Sequence, residues 1–288
     1  MTAASHPASR RRGRSARGPR AEERRRAWFP LLIGLVTAVV LFFLVLPIIA
    51  IFVGTSPREL IASLGEPVVR EALWLSAKTT MMALALILAA GTPAAYFLAT
   101  RRFRGRSAVI TLVELPLVLP PAVAGIGLLA AIGPSGILAP IGVSFSLSTA
   151  AVVVALTYVA SPFYVRQAMA SFGAVDRTVV DAARTLGASE AEAFVRVVIP
   201  TAMPGLVAGT ALALGRALGE FGATIMFAGS FVGVTQTVPL AIYDRFSVQF
   251  PDALALSAVL VVVSAAILLS VKFVRGAEAV GGVGGARV

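Results

Sequence analysis

Arg216 and Glu220 stand four residues apart in the otherwise apolar, glycine-rich run from Pro204 to Ala228. At helical spacing they share one face and can pair. Arg216 falls about 18 Å along a helix from Pro204, at 1.5 Å per residue. An ionisable group inside a membrane span costs about 2.5–3.5 kcal/mol on insertion scales and usually faces the protein interior. Two readings follow. Either the pair gates or lines a substrate path, or it neutralises itself and braces the bundle. The i, i+4 spacing favours the brace, because it cancels most of the charge that could attract an anion. Glu114, in another apolar run, is placed to pair with an arginine.

Beyond these groups the chain has little chemistry to offer. It has no cysteine, and its single histidine is His6, so disulfides, thiolate or histidine metal sites and nucleophile schemes using either residue are not expected. No catalytic or metal-ligating residue is assigned. The only lysines are Lys78 and Lys272, and neither lies in a G-x-x-x-x-G-K-[ST] phosphate loop. No cofactor is expected on this chain, and any ATP that drives it must be bound by a separate subunit. Gly125-Ile126-Gly127-Leu128-Leu129-Ala130 has the outline of a dinucleotide fingerprint. It sits inside an apolar span with no preceding strand and reads as close helix packing.

The elements that must position these residues are membrane helices. Hydrophobic residues make up 58% of the 288, charged residues 14%, and the mean hydropathy is +0.89. Six spans are predicted: Phe29 to Val53, Leu73 to Ala99, Ala108 to Ile132, Ser148 to Met169, Pro204 to Ala228 and Ala253 to Val274. The fold class is all-α and polytopic. Its body covers 29–275, between a disordered basic tail over 1–28 and a flexible tail over 276–288. The first span is longer than a signal-peptide core and is expected to stay as an anchor.

In the third span Pro116, Pro120 and Pro121 remove backbone donors. The helix must therefore bend or break, either as a structural kink or as a pathway lining. In the fifth span Gly205, Gly209, Gly215 and Gly219 form two G-x-x-x-G pairs, which let neighbouring helices approach.

Of the 25 basic residues, all but Arg58, Arg70, Lys78, Arg216 and Arg245 lie in the N-terminal tail, the loops after spans two and four, or the C-terminal tail. By the positive-inside rule those segments are cytoplasmic, so both termini and the 170–203 loop of this multi-pass membrane protein are expected to face the cytoplasm. The net charge of +11 then reflects topology and contact with anionic lipid, not nucleic-acid binding.

The 170–203 loop is amphipathic and too polar to span. From Asp176, the residues Val179, Val180, Ala183 and Leu186 recur at helical spacing, and Gly187 can stop the helix. Ser189 and Glu192 have capping-box spacing for a second short helix carrying Phe194, Val195 and Val198, which Pro200 is expected to limit. Such a pair either rests on lipid headgroups or docks onto a protein partner.

Asp181-Ala182-Ala183, Gly187 and, after nine residues, Val197-Val198-Ile199-Pro200 resemble the E-A-A-x3-G-x9-I-x-L-P loop of the inner-membrane permeases of binding-protein-dependent ATP-binding-cassette importers. Asp181, Val197 and Ile199 replace Glu, Ile and Leu conservatively. The resemblance implies a type I importer permease fold and gives Asp181, Ala182, Ala183, Gly187, Val197, Ile199 and Pro200 the role of coupling to cytosolic ATPase subunits. Arg216 to Thr224, Thr235 to Thr237, Pro239 to Tyr243 and Leu115 to Val123 are similar to the molybdate branch. Ser230, Phe231 and Val232 depart from that branch where Asn and Pro are common, which leaves sulfate and tungstate open.

The implied partners are two ATPases, an extracytoplasmic molybdate-binding protein and a second copy of the permease. Pathway or gate candidates are Pro116, Pro120, Pro121, Arg216, Glu220, Thr235, Gln236 and Thr237. An ion-coupled secondary transporter is the rival class, but no internal repeat supports it.

Overall fold

A computed structural model of the chain describes residues 19–283, with side chains over 28–270 apart from 57, 59 and 60. Of the two expected tails, residues 1–18 and 284–288 lie outside the described residues, as do the side chains of His6 and the N-terminal arginines. No strand occurs among the described residues. Among the described residues five helices are long and apolar enough to cross a membrane, or six if a bent pair counts as one span.

The chain divides into two units, Met1–Ala50 and Ile51–Val288. The first is carried by helix α1 (Pro19–Val53). Its span Trp28–Val53 has a mean hydropathy of 3.1, and every side chain from Trp28 to Ala50 is exposed. A helix apolar on all sides is soluble only in lipid or against other helices.

The second unit begins with α2 (Pro57–Gly65) and α3 (Pro67–Thr100). It continues through α4 (Arg106–Val118), α5 (Pro121–Ile132), α6 (Thr149–Gly173), α7 (Arg177–Thr185) and α8 (Glu190–Ala193). It ends with α9 (Ile199–Leu218), α10 (Gly222–Ala228), α11 (Val238–Phe246) and α12 (Phe250–Val283). The core lies where α6 packs between α3 and α9. It is made largely of alanine, as at Ala83, Ala95, Ala155, Ala160 and Ala213. Small side chains let membrane helices approach until dispersion contacts hold them.

Of the two expected glycine pairs, only Gly205 and Gly209 make such an approach. A Cβ on Gly209 would meet Gln167 at 3.1 Å and Tyr164 at 3.2 Å, and one on Gly205 would strike Ser171. Gly215 has open space beside it.

The proline-rich third span breaks as expected. α4 ends at Val118, α5 starts at Pro121, and the chain turns through 118° between them. Pro121 occupies the first turn of α5, where a missing N–H costs nothing.

Two boundary expectations need correction. The fifth span does not run unbroken to Ala228: α9 stops at Leu218 and α10 begins at Gly222, because Glu220 turns its carboxylate onto the Ala223 N–H at 2.6 Å and caps the new helix. Nor does Pro200 end the second coupling helix. A π-turn over Phe194–Val198 carries α8 directly into α9, with the Ile199 N–H donating to the Phe194 carbonyl five residues back. The wider turn accommodates the proline ring, and the Thr201 hydroxyl donates to the Val197 carbonyl at 2.7 Å. One helical rod therefore runs from Glu190 to Leu218.

Candidate functional site

The amphipathic loop folds as a short helical hairpin. Asp176 caps α7 by accepting the Thr178 N–H at 2.9 Å, and that backbone bond, with the Thr178 side chain adding to it, holds its carboxyl below the usual carboxylate range. At the other end Gly187 takes φ +95°. The Ala188 N–H reaches the Ala183 carbonyl at 3.1 Å and the Gly187 N–H that of Arg184 at 3.0 Å, which is a Schellman closure. Ser189 and Glu192 then form the reciprocal capping box, with bonds of 3.2 and 3.0 Å.

The hairpin separates its residues by side. Val180 and Ala183 of α7 are half-buried, Val198 is buried, and Val197 and Ile199 are intermediate. Facing away are Val179, Ala182 and Leu186, a ridge at i, i+3, i+7 with Leu186 90% exposed. Pro200 is also exposed. Asp181 lines a cavity of about 260 Å³ shared with Arg177, Arg184 and Arg101. Arg101, just after α3, forms an ion pair with Glu190 at the start of α8. Beneath them Tyr96, Phe172 and Phe194 pack with ring centroids 4.5–6.1 Å apart. The rod's entry to the bundle is thereby held against α3 and α6.

In the apolar body, Arg216 Nη1 lies 2.6 Å from Glu220 Oε2. The Glu220 side chain is 1% exposed and that of Arg216 is 25% exposed. The carboxylate is sealed between the guanidinium and the start of α10, while Arg216 lines a crevice between α6, α9 and α12. Glu114 lies 3.7 Å from Arg166 across α4 and α6, as its placement suggested.

Pro120 and Pro121 are exposed and Pro116 is half-buried. A Cβ on Gly222 would meet Pro121 at 2.7 Å, and one on Gly125 would meet the Ala223 carbonyl at 2.6 Å, so the break is seated on α10. Gly125 thus serves close packing, whereas Gly127 has open space.

Thr235, Gln236 and Thr237 are all buried. The Thr235 hydroxyl accepts the Phe231 N–H at 2.9 Å, and the Gln236 amide donates to Asp244 at 2.6 Å. Among the described residues the Thr237 hydroxyl and the Gln236 carbonyl oxygen have no protein partner.

A family model described as "binding-protein-dependent transport system inner membrane component" matches residues 91–277. The chain belongs to this family. It is 41% identical over 251 residues to the molybdenum transport system permease protein ModB of Mycobacterium tuberculosis, covering 85% of this chain and 92% of that protein. It is 38% identical over 227 residues to a probable molybdenum ABC transporter permease of Haloferax volcanii, covering 77% and 83%. Among solved structures, a bacterial alginate ABC transporter in complex with its pentasaccharide-bound periplasmic protein aligns with a TM-score of 0.69 at 17% identity, covering 88% of this chain and 94% of that one. The MetNI methionine ABC transporter, inward facing, aligns at 0.59 and 19%, covering 73% and 95%.

As a permease of this family the chain has one polar cluster that sequence reasoning missed. Arg245 on α11 donates to Glu66 at 2.8 Å and to Asp252 at 2.7 Å. Next to it Asp244 accepts from Ser230 at 2.7 Å and from Gln236, and the Val238 N–H donates to Ser76 on α3 at 2.8 Å. The adjacency of Asp244 and Arg245 soon after the Thr-Gln-Thr run was the available signal. It gave no hint of Glu66 or Ser76.

Proposed function

We propose that this chain is the membrane-spanning subunit of an ATP-driven importer that moves molybdate into the cell, working as a homodimer above two ATPase subunits and below an extracytoplasmic binding protein. The observation that carries the coupling role is the hairpin's outward ridge of Val179, Ala182 and Leu186 on a helix closed at both ends. An exposed apolar ridge of this kind is what a partner's cleft covers. The relatives above, named for molybdenum transport, support the substrate. Selection then rests mainly with the binding protein, and the permease offers a weak, polar route, since tight binding would hold the anion.

The rod from Glu190 to Leu218 gives the mechanism. At 1.5 Å per residue its 29 residues make a lever about 43 Å long, running without a break from the hairpin to Arg216. ATP-driven closure of the ATPases shifts the hairpin as a rigid body, and the rod tilts against α3 and α6 to alternate access. The concentration of basic residues in the hairpin loop and both tails supports a cytoplasmic placement of all three.

The test is uptake of labelled molybdate, competed by sulfate and tungstate, into proteoliposomes containing permease, ATPase and binding protein. ATP-dependent molybdate uptake resistant to excess sulfate is expected. Uptake on an ion gradient with the permease alone overturns the reading.

A further inference from the structure

The crevice beside Arg216 has a volume of about 610 Å³ and is lined mainly by apolar side chains such as Phe163 and Leu212. Three polar groups reach it from three helices: Gln167 on α6, Arg216 on α9 and Ser264 on α12. Among the described residues the Gln167 amide and the Ser264 hydroxyl have no protein hydrogen-bond partner, and Arg216 has none beyond Glu220. The guanidinium has five N–H donors and no acceptor, so most of its donors are uncommitted. The pair with Glu220 is neutral overall, so the crevice offers hydrogen-bond donors and not a net positive charge. Beside Arg216, a Cβ on Gly215 would meet no atom within 4 Å.

From these groups we infer that the crevice is a transient holding site for the transported tetrahedral oxyanion, with Arg216, Gln167 and Ser264 as its hydrogen-bond donors. The inference rests on the oxyanion-import reading above. Convergent donors among apolar walls suit a dianion that keeps part of its hydration, and the volume leaves room for that water. A lipid phosphate shares this chemistry and is distinguished by the uncharged, membrane-soluble reagent in the test below.

The chain has no cysteine, so S264C places a single thiol of this subunit in the crevice. Its modification in the assembled, reconstituted complex is followed by mass spectrometry, using anionic and cationic methanethiosulfonates of similar size. Molybdate should slow the anionic reagent several-fold and the cationic one less, and that protection should vanish when R216Q/E220Q is added. Reaction with an uncharged, membrane-soluble reagent alone means a lipid-filled crevice and overturns the site. So does absence of protection in a complex that imports molybdate.

Gly215→Leu projects a side chain into the same space from a Cβ that meets no atom within 4 Å. Several-fold slower uptake by a complex that still co-purifies is expected, and unchanged uptake counts against the site. A wild-type complex that imports sulfate but not molybdate, with S264C protected by sulfate, contradicts the choice of anion and leaves the crevice assignment standing.

Discussion

The coupling hairpin at 176–200 and the segment from Gly219 to Phe246 are both dense in polar residues, yet they are built in opposite ways. The hairpin closes on itself through bonds two to five residues long: Asp176 to Thr178, Ala188 to Ala183 and Ser189 to Glu192. Of its motif side chains Asp181, Ala182 and Pro200 are exposed, and Ala183, Val197 and Ile199 are half-buried. In the second segment the polar groups are buried or half-buried, and the bonds that tie it to the bundle are remote: Val238 bonds Ser76 across 162 residues and Arg245 bonds Glu66 across 179. A surface that passes force to another protein must hold its shape before the partner arrives, so it is locally self-sufficient. Polar groups taken out of water must be satisfied by whatever packs against them, so they draw on several elements.

The sharpest way to break this contrast is at Gly187. Its φ of +95° lies where a β-branched residue carries about 1–3 kcal/mol of strain, and the Schellman bonds depend on it. Gly187→Val should reduce ATP-dependent uptake more than tenfold while membrane insertion is unchanged, since no side chain packs against this glycine and 1.4 kcal/mol already corresponds to a factor of ten. ATPase activity that persists without uptake marks uncoupling. Normal uptake with normal binding-protein-stimulated ATPase removes Gly187 from the coupling path.

Glu220 tests the buried half. Removing one partner of a buried ion pair typically costs about 3–5 kcal/mol. Arg216 is a quarter exposed and can recover some hydration, so Glu220→Ala should fall near the lower end, about 3 kcal/mol, read as a lower thermal midpoint of the purified complex. The double change R216Q/E220Q should cost less than Glu220→Ala alone. Additive losses would mean that the two side chains act separately, in spite of their 2.6 Å contact.

The same contrast explains what could be read from the chain beforehand. The hairpin's cap, stop and capping box were legible because each is a local choice between residue types: Asp176 for the cap, Gly187 for φ > 0, Ser189 and Glu192 for reciprocal bonds. The break near Pro120 was legible because proline lacks an N–H wherever it stands. The end of α9 was not, because Gly219 and Glu220 continue an apolar helical pattern and only the bond from Glu220 to the Ala223 N–H shows that a new helix starts. Pro200 misled for the opposite reason. A proline stops a helix unless the turn before it widens, and the π-turn at Phe194–Val198 is held by burial of Ala193 and Val198, which depends on packing against the bundle. The Arg216 and Glu220 spacing foretold their pairing, but it could not divide the two roles between a sealed carboxylate and a half-open guanidinium.

Asp176 should give the smallest effect, and it separates capping from charge. Its side chain acts only on Thr178, accepting the backbone N–H with the Thr178 side chain adding to that bond, and it is fully exposed. Asparagine accepts the same bond, so Asp176→Asn should leave uptake at wild-type rates, whereas Asp176→Ala should lower it by no more than about twofold, in keeping with an exposed N-cap. The pH dependence follows from the lowered carboxyl pKa. The ionised cap is fully present above the ordinary aspartate range and is lost only as pH falls through the lower, folded-state value. Wild type and Asp176→Asn should therefore track each other across neutral pH and differ only in strong acid. A large loss with Asp176→Asn at neutral pH would mean that the negative charge itself meets the ATPase, and the hairpin would then be less self-contained than its bonds indicate.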